Sequence, residues 1–466
     1  MAAPPCRRAS LPGLPDELVE EILLRLPPDD PACLLRASVV CKKWGSAVSH
    51  PSFRRRIHEL HRTLPVLGFL HDWRDNERIP NFVPTTASAF SLAAPDRRFW
   101  RALDCRHGRA LFLPTDRDTT ELLLWEPITG AQQRVPLPAA FQSMYADVIQ
   151  YPSAAVFCLA DGCDHRDCHG GPFCVAFVFT IEIATDDEEE YVMSACLYSS
   201  ETGTWGELTS MHCEFMMEFG EFPSVLVGRS QPYFMPNCYS VSIIEYDLAR
   251  NELTVIDAPD FADRFVLVLA EDGGLGLIQD MDQHLKWWSR EASDRTVAQW
   301  VLSRIIDLGN LLPVGALMKA ASNLFVSGFA EGANVIFVDT IVGLFTIDLL
   351  SGRVRKVCGN NGFRQLIPVV GFYTPVSLNE HQDVPLLNAS VEERGEEEKT
   401  VDQAQQLFDS GSNAIKEGTS ATRSNVSAMS ADLDDRVPSC RDVAPESKGM
   451  DAALLCEAQE VTDSLE

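Results

Sequence analysis

The 466-residue sequence predicts a multidomain α+β protein with a small helical module, a large all-β domain and an acidic tail. Three observations support this division. Apolar residues recur at helical spacing near the N-terminus, short β-rich runs fill the middle, and the end is rich in Glu, Ser and Asp with few aromatic side chains. We expect a disordered N-terminus at 1–10, the helical module at 11–62, the all-β domain at 63–376 and a disordered tail at 377–466.

The first predicted helix lies between two proline signals. Pro15 suits the first turn of a helix, and the acidic residues after it complement the helix dipole. Leu18, Ile22 and Leu26 recur at four-residue spacing, which predicts one broad apolar face. Two consecutive prolines then end the helix.

Three further helices are expected before residue 62. The Asp30-Pro31 pair is a helix cap followed by a first-turn proline, which predicts the start of a second helix. Apolar spacing predicts two more helices, one with Val40, Trp44 and Val48 and the other with Phe53, Ile57 and Leu60.

This module carries more apolar side chains than about fifty residues can bury. Exposed apolar surface is normally a docking site, so a partner protein is the simplest cover. The alternative is that these residues pack on the rest of the chain, and the pattern alone leaves both open. The apolar residues concerned are Leu14, Leu18, Ile22, Leu23, Leu26, Leu34, Leu35, Val40, Cys41 and Trp44.

The stretch from Leu14 to Phe53 resembles an F-box. That family has a Leu-Pro opening, an Ile-Leu pair, a Leu before a polar break, a Val-Cys-Lys-x-Trp motif and a Pro-x-Phe motif. All are present in the family's order and spacing, as Leu14-Pro15, Ile22-Leu23, Leu26, Val40-Cys41-Lys42-Lys43-Trp44 and Pro51-Ser52-Phe53. The sequence departs from the family at Ala32-Cys33, where a more polar stretch is common.

The resemblance implies that the module binds the Skp adaptor of a cullin–RING ubiquitin ligase. It also implies that Cys41 acts as a small buried hydrophobic residue and not as a nucleophile. The adaptor-contact residues that the resemblance implies are Leu14, Pro15, Leu18, Ile22, Leu23, Leu26, Leu34, Val40, Cys41 and Trp44.

The central region repeats a unit made of an apolar strand, a hairpin turn with Gly or Asn, and a second strand. Another strand precedes several of these units. Three or four strands per unit, spaced by roughly 40 to 70 residues, predict a β-propeller of about five or six irregular blades. The turns of four units contain Thr129-Gly130, Thr202-Gly203, Asn251 and Ser351-Gly352.

Two terminal segments of this region, at 63–69 and 366–376, have strand character and could close the ring by completing one blade together. A β-sandwich or a stack of hairpins is the alternative, because the spacing is uneven and no Gly-His…Trp-Asp signature occurs. The arrangement also resembles plant F-box proteins with a C-terminal F-box-associated or Kelch-like propeller. This resemblance implies that loops on a rigid ring capture a target protein.

One cluster has the residue types of a zinc site: Cys163, His165, Cys168 and His169. Its spacing fits no paired zinc-finger pattern, and it lies in a Gly-flanked loop between two predicted strands. We favour a polar loop with incidental cysteines, with a structural zinc site as the alternative, and we expect no metal and no cofactor.

Two other features have ordinary interpretations. The acidic run from Asp186 to Glu190 is interpreted as a solvated hairpin tip, with docking of a basic target as the alternative. Trp287 and Trp288 are consecutive, so in a strand one of them points inward and packs in the core.

The charge of the chain is strongly acidic, with a net of −28. The segment from Glu380 to Glu466 holds 20 acidic and 7 basic side chains. We expect no nucleic-acid or membrane partner. No signal peptide or membrane-spanning run is apparent, so we expect a location in the cytoplasm and/or nucleus with reduced cysteines.

The favoured function is that of a non-catalytic substrate-receptor subunit of a Skp-cullin-F-box type E3 ubiquitin ligase. Its expected partners are the Skp adaptor, through it a cullin–RING ligase, and an unidentified protein target. No Gly-x-Ser-x-Gly, P-loop, kinase or His-Glu-x-x-His motif occurs, so no catalytic residue is assigned. The alternative is a β-propeller enzyme or ligand-binding scaffold whose helical module packs intramolecularly.

Overall fold

The computed structural model describes most of the chain up to residue 375, and the described ranges are 15–71, 81–86, 90–96, 98–142, 151–160, 162–166, 168, 170–184, 189–219, 223–236, 242–259, 265–281, 283–293, 296–317, 324–360, 362–363 and 365–375. All of these belong to one compact unit, Met1–Gln382. A second unit, Asp383–Glu466, lies outside the described residues, as do Leu14 and the two segments predicted to be disordered.

Four short helices form the N-terminal module, as the sequence predicts. They are α1 (Asp16–Leu24), α2 (Pro31–Ser38), α3 (Lys42–Ser49) and α4 (Pro51–Leu60). Within the described ranges, no helix combines the length and apolar character that a membrane span requires.

Two of these helices begin where the local chemistry predicts. The Asp30 side chain accepts a hydrogen bond from the Ala32 N–H at 3.2 Å, and Pro31 is the first residue of α2. The His50 ring likewise accepts from the Ser52 N–H at 3.2 Å ahead of Pro51 in α4. Each cap satisfies a donor that the helix itself leaves unbonded.

Helix α3 begins later than the apolar spacing predicts. The Val40 N–H bonds to the Ala37 carbonyl at 3.2 Å, which ends α2 in a turn, and Cys41 is extended with φ −160°. The prediction that Val40 shares a helical face with Trp44 and Val48 is therefore wrong. Of these side chains, that of Val48 is fully buried and that of Val40 is exposed.

The described strands form six antiparallel sheets, which confirms the propeller and gives it six blades. The first blade contains β1 (Val66–His71) and β2 (Phe82–Pro84). The second contains β3 (Trp100–Arg106), β4 (Arg109–Pro114), β5 (Glu121–Trp125) and β6 (Gln132–Pro136), followed by helix α5 (Ala139–Gln142). The third contains β7 (Ser153–Cys158), β8 (Phe173–Ala184), β9 (Glu189–Ser199), β10 (Thr204–Trp205) and β11 (Thr209–Cys213).

The remaining blades each contain four strands in chain order. The fourth blade contains β12 (Val225–Val227), β13 (Gln231–Phe234), β14 (Ser242–Asp247) and β15 (Glu252–Asp257). The fifth contains β16 (Phe265–Leu269), β17 (Leu275–Asp280), β18 (His284–Ser293) and β19 (Thr296–Asp307). The sixth contains β20 (Phe325–Ala330), β21 (Val335–Thr340), β22 (Gly343–Asp348) and β23 (Val354–Cys358), and the chain ends its regular structure in β24 (Leu366–Val370).

The ring closes through strand β24, which completes the first blade. It pairs antiparallel with β1, with Leu366 opposite His71 and Val370 opposite Val66. The inner strand of the first blade therefore comes from the end of the domain and the outer strands from its beginning, which confirms the predicted closure. Strand β24 lies beside β20 on one side and β3 on the other, so it joins the last blade to the second.

The predicted repeat unit corresponds to the outer hairpin of a blade. Gly130, Gly203 and Gly352 have φ of +74°, +69° and +68°, and Asn251 has φ +55° at the equivalent turn of the fourth blade. This left-handed conformation favours Gly and Asn, which explains why those residue types mark the turns in the sequence.

Tryptophans on two outer strands join neighbouring blades. The Trp205 indole of β10 donates to the Pro136 carbonyl at 2.7 Å, and the Trp300 indole of β19 donates to the Asp257 carbonyl at 2.8 Å. Each acceptor is the last residue of the outer strand of the preceding blade, Pro136 in β6 and Asp257 in β15. These bonds satisfy carbonyls on the edge of a sheet, where no further strand is available.

Candidate functional site

Helix α1 has apolar side chains on two sides, and the structure buries only one of them. Val19 and Leu23 are 8% and 1% exposed, whereas Leu18 and Ile22 are 51% and 49% exposed. Because an α-helix has about 3.6 residues per turn, residues 18 and 22 share one side and residues 19 and 23 another. The single face predicted from the spacing is therefore divided into a core side and an exposed side.

A second exposed apolar segment lies between α2 and α3. Val39 and Val40 are 63% and 64% exposed, and Cys41 after them is also exposed. The Cys41 carbonyl accepts from the Gly45 N–H at 3.0 Å and so begins α3. Branched aliphatic side chains at two consecutive exposed positions are suited to contact with another protein.

The ten predicted adaptor-contact residues fall into four groups. Pro15, Leu18, Ile22, Val40 and Cys41 are exposed, Leu26 and Trp44 are half-buried, Leu23 and Leu34 are buried, and Leu14 lies outside the described residues. In this chain the buried pair belongs to the core of the module and supports the exposed face from behind. The resemblance gives Cys41 a buried place on the partner, and in the free chain its side chain is accessible.

Polar contacts hold α1 against α4. The Arg56 guanidinium of α4 lies 2.7 Å from a Glu20 carboxylate oxygen and also pairs with Glu21. At the other end of α1, the His61 Nε2 donates to the Leu24 carbonyl at 2.9 Å. Exposed ion pairs add little stability, but together with this cap they orient the helix that carries Leu18 and Ile22.

The helical module and the propeller share a core through a residue that the sequence pattern did not single out. Phe372, just after β24, is buried among the helices and stacks on His58 with ring centroids 4.6 Å apart. Ala32 of α2 packs on the core of the first two blades, and Arg355 pairs with Asp29 at 2.6 Å. The sequence places Phe372 in the segment 366–376, which is expected to be a strand, whereas the strand ends at Val370 and Phe372 enters the helical core.

A buried charged network lies where four blades meet. Arg106 donates to Asp104 at 3.2 Å, to Glu331 at 3.0 Å and to the Ser224 carbonyl at 2.7 Å. Burial raises the pKa of Asp104 to about 6, against the opposing effects of Arg106 and the Val156 N–H. The groups bind one another and the backbone, so they join blades and leave few hydrogen-bonding positions for a ligand.

The cysteine-rich loop places several candidate metal ligands close to one another. Cys163, His165 and Cys168 come together with Cys158, which ends β7 and is not part of the predicted cluster. His169 lies outside the described residues. Cys158 has no sequence signal because it follows five apolar or small strand residues, and its role depends on the return of the loop.

The structure also describes the tryptophan pair and part of the acidic run. Trp287 is 1% exposed and faces the core, while the half-buried Trp288 donates to the Gln279 side chain at 3.2 Å. Residues 185–188 of the acidic run lie outside the described ranges. Glu189 begins β9, opposite Ala184 of β8, so the run joins two paired strands as predicted.

A helical module with an exposed apolar face, packed on a six-bladed propeller, defines a modular recognition protein. Comparison with known families agrees: the F-box domain matches residues 11–56, and the family described as "F-box protein AT5G49610-like, beta-propeller" matches residues 101–376. The chain belongs to this family of F-box proteins and has a plant-type F-box architecture. No curated protein gives a significant match.

Solved structures show only distant likeness. The acylaminoacyl peptidase of Pyrococcus horikoshii is 9% identical with a TM-score of 0.30, covering 54% of this chain and 37% of the peptidase. The Cps50 (Swd1) β-propeller domain of Myceliophteria thermophila is 11% identical with a TM-score of 0.28, covering 55% and 71%. A luciferin-regenerating enzyme is 9% identical with a TM-score of 0.31, covering 56% and 76%. The chain spans little more than a third of the peptidase, and likenesses at this level carry no functional argument.

Proposed function

We propose that this chain is the substrate-receptor subunit of a Skp-cullin-F-box type E3 ubiquitin ligase. Its F-box binds the Skp adaptor, and through it a cullin–RING ligase, while the propeller binds the target protein. The observation that carries the proposal is the exposure of Leu18 and Ile22 on α1, beside Val19 and Leu23, which are buried in the core of the module. Fully burying one such side chain contributes roughly 1.5–3 kcal/mol, so these two side chains and Val40 can supply much of an apolar interface.

The contacts between the F-box and the propeller leave this face free for a partner. The propeller contacts the module through Ala32, Asp29 and the α4 side near His58. Leu18 and Ile22 lie on a different side of α1 from Val19 and Leu23, which pack in the shared core with Phe372. The intramolecular alternative therefore accounts for part of the surplus apolar surface, and the exposed remainder favours an external partner.

In this role the chain contributes proximity and needs no catalytic residue of its own. A receptor that holds a target near a charged conjugating enzyme raises the effective concentration of the target lysine. A rigid propeller joined to the F-box by a shared core suits this task, because the target is then held in a defined orientation.

We infer that the target binds the propeller face away from the F-box. In an antiparallel meander, alternate turns lie at opposite ends of the strands. The β3–β4 turn at His107 and the β20–β21 turn at Gly332 line a cavity of about 300 Å³ together with Arg62 and Phe372, and so lie on the F-box side. The β4–β5 turn (115–120) and the β21–β22 turn (341–342) therefore lie on the other side, where they are available to a target.

Co-purification of the full chain with the Skp adaptor tests the proposal. Leu18→Ala combined with Ile22→Ala should weaken binding at least tenfold, because it removes apolar area from the exposed face. Leu14→Ala with Pro15→Ala, and Trp44→Ala, should also weaken it. Leu60→Ala is the matched control, because Leu60 is an aliphatic residue of α4 with 52% exposure outside the predicted contact set.

Unchanged adaptor binding by the Leu18/Ile22 and Trp44 variants, with the wild-type circular dichroism spectrum retained, would reject the proposed role.

The target side is tested separately by proximity labelling of the full chain with and without proteasome inhibition. A protein that accumulates on proteasome inhibition should lose labelling when Ile341, on the propeller face away from the F-box, is changed to Asp.

We also propose a location in the cytoplasm and/or nucleus, which fractionation of cells that express the chain checks directly.

A further inference from the structure

The loop between β7 and β8 gathers four side chains that can bind a metal ion. One ligand atom from each of Cys158, Cys163, His165 and Cys168 lies within 4.8 Å of all the others. The Cys163 and Cys168 sulfurs are 3.4 Å apart, and the Cys168 sulfur is 3.6 Å from the His165 Nδ1. A tetrahedral zinc ion with Zn–S of about 2.3 Å and Zn–N of about 2.0 Å requires ligand atoms roughly 3.5–3.8 Å apart. The separations of 3.4 and 3.6 Å are close to that requirement.

The backbone of the loop is shaped to bring these side chains together. Gly162, His165 and Gly170 have φ of +68°, +60° and +67°, so three residues of the loop adopt the left-handed conformation that tight turns use. A positive φ is costly for a non-glycine residue such as His165 and is kept only where the surroundings require it. Here it directs the His165 ring toward the three sulfurs.

Two backbone donors point at sulfur atoms in this loop. The Ala160 N–H donates to the Cys158 sulfur and the His165 N–H to the Cys163 sulfur, each at 3.4 Å and each from two residues further along the chain. Outer contacts of this kind orient the side chains that bind a metal ion.

The hairpin turn between β3 and β4 supports the cluster from the other side. The His107 ring stacks on the His165 ring with centroids 4.0 Å apart and an interplanar angle of 10°. The His107 Nδ1 accepts from the Cys158 N–H at 3.1 Å. One residue of the second blade therefore positions two of the four candidate ligands.

We propose that Cys158, Cys163, His165 and Cys168 form a structural Zn²⁺ site. Three sulfurs and one imidazole nitrogen are a ligand set that zinc prefers, and four protein ligands leave no open position for catalysis. The site shares no residue with the proposed adaptor face, and no family comparison assigns it.

The site lies where it can control the F-box. Arg166, between two of the ligands, donates to the His58 carbonyl of α4 at 3.3 Å. After the ligands, the Gly170 N–H bonds to Glu126 at 3.1 Å and the Gly171 carbonyl accepts from Arg109 at 2.7 Å. The bound ion thus fixes a loop that joins the second and third blades to α4, and its removal should loosen the F-box on the propeller.

The test measures metal in the full chain, purified without a polyhistidine tag from zinc-supplemented cells. Elemental analysis should find about one zinc per chain. Cys163→Ser and His165→Asn should each lower the zinc content per chain at least severalfold. Asn tolerates a positive φ, so His165→Asn removes the imidazole and keeps the backbone conformation. Cys213→Ser and Cys358→Ser are controls, since both cysteines are half-buried like Cys163 but lie in other parts of the ring.

Two further measurements keep the result independent of misfolding. Chain stripped by a chelator, with its circular dichroism unchanged, should bind Co²⁺ and show the visible absorption of tetrahedral cobalt with thiolate ligands. Chelation should also speed protease cleavage of the linker between α4 and β1, which zinc should reverse.

Three results would overturn the zinc site. The first is a folded chain with less than about a tenth of an equivalent of zinc and no Co²⁺ uptake. The second is another metal in stoichiometric amount. The third is an intact mass lower by two hydrogens with a Cys163–Cys168 disulfide, since such a bond removes two ligands.

Discussion

Phe372 stacks on His58 with ring centroids 4.6 Å apart and an interplanar angle of 29°, although one residue follows the last propeller strand and the other belongs to α4. Phe372 is 4% exposed and packs with Val19, Leu23 and Ile57. The end of the propeller chain is therefore part of the F-box core. This shared core joins the F-box to the propeller.

Replacing Phe372 with Ala should destabilise this junction by about 3–5 kcal/mol, because it removes a buried aromatic ring and leaves a cavity. Urea unfolding should show the loss, and limited proteolysis should cut faster between α4 and β1. Phe99→Ala is the control, since Phe99 is 56% exposed and its loss should cost less than about 0.5 kcal/mol. Equal stability of the two variants would contradict the role assigned to Phe372.

Helix α1 should separate stability from adaptor binding. Leu23→Ala, on the buried side, should lower the free energy of unfolding by about 2–5 kcal/mol. Leu18→Ala, on the exposed side, should leave it within about 0.5 kcal/mol of wild type and reduce adaptor affinity instead. Thermal unfolding and a binding titration on the same preparations check both expectations. A loss of stability for Leu18→Ala similar to that for Leu23→Ala would place both residues in the core.

Ring closure by β24 predicts a sharp difference between two truncations. Ending the chain after residue 365 removes Leu366, Ile367 and Val369, which are 0%, 3% and 2% exposed, and leaves β1 without its inner partner. We expect that chain to lose cooperative unfolding. Ending the chain after residue 376 removes only the acidic tail and should leave the midpoint of thermal unfolding nearly unchanged. Calorimetry of the two truncated chains beside the full chain gives the comparison.

The tryptophan bonds between outer strands should each contribute a similar amount. Trp205→Phe and Trp300→Phe keep most of the ring but remove the indole donor, so each should cost about 0.5–1.5 kcal/mol. The two sites join different pairs of blades, so the double variant should lose the sum of the two single losses. Urea unfolding of the three variants measures this. A marked departure from additivity would show that the bonds act through a common part of the ring.

Asp339 predicts a pH dependence with a defined sign. Burial raises the pKa of this carboxyl to about 6, against the effect of the Gly362 N–H, which donates to it at 2.6 Å. The native state therefore holds the proton more tightly than the unfolded chain. The resulting stability is present in full below about pH 4 and is lost as the pH rises through about 6.

Asp339→Asn removes this titration. The variant should be more stable than wild type by about 1–3 kcal/mol at pH 7.5, and the difference should shrink towards pH 4. Asp118→Asn, at an exposed turn position, is the control and should follow the wild-type curve. Urea unfolding across this pH range distinguishes them. A constant difference between Asp339→Asn and wild type would show that another property of the site is responsible.

Local patterns in the sequence predicted the elements well where a single residue governs the backbone. Asp30 and Pro31 start α2, and Gly130, Gly203 and Gly352 mark hairpin turns, because capping and positive φ are decided within a few residues. The same kind of pattern was wrong for Val40, which precedes α3. Leu60 lies in the predicted fourth helix and is its last residue, with a side chain that is 52% exposed. The spacing of apolar residues identifies one face of a helix, but it does not show where the helix ends or what covers that face.

The amino-acid pattern was sufficient for the order of modules, the F-box motif, the blade hairpins and the pairing of the first and last strands. These depend on turn chemistry and on alternation over short stretches. Three other features depended on the folded chain. They are the division of α1 into a buried and an exposed side, the packing of Phe372 in the helical core, and the approach of Cys158 to Cys163, His165 and Cys168. Each joins residues through the packing of whole elements, and no local spacing encodes which faces of those elements meet.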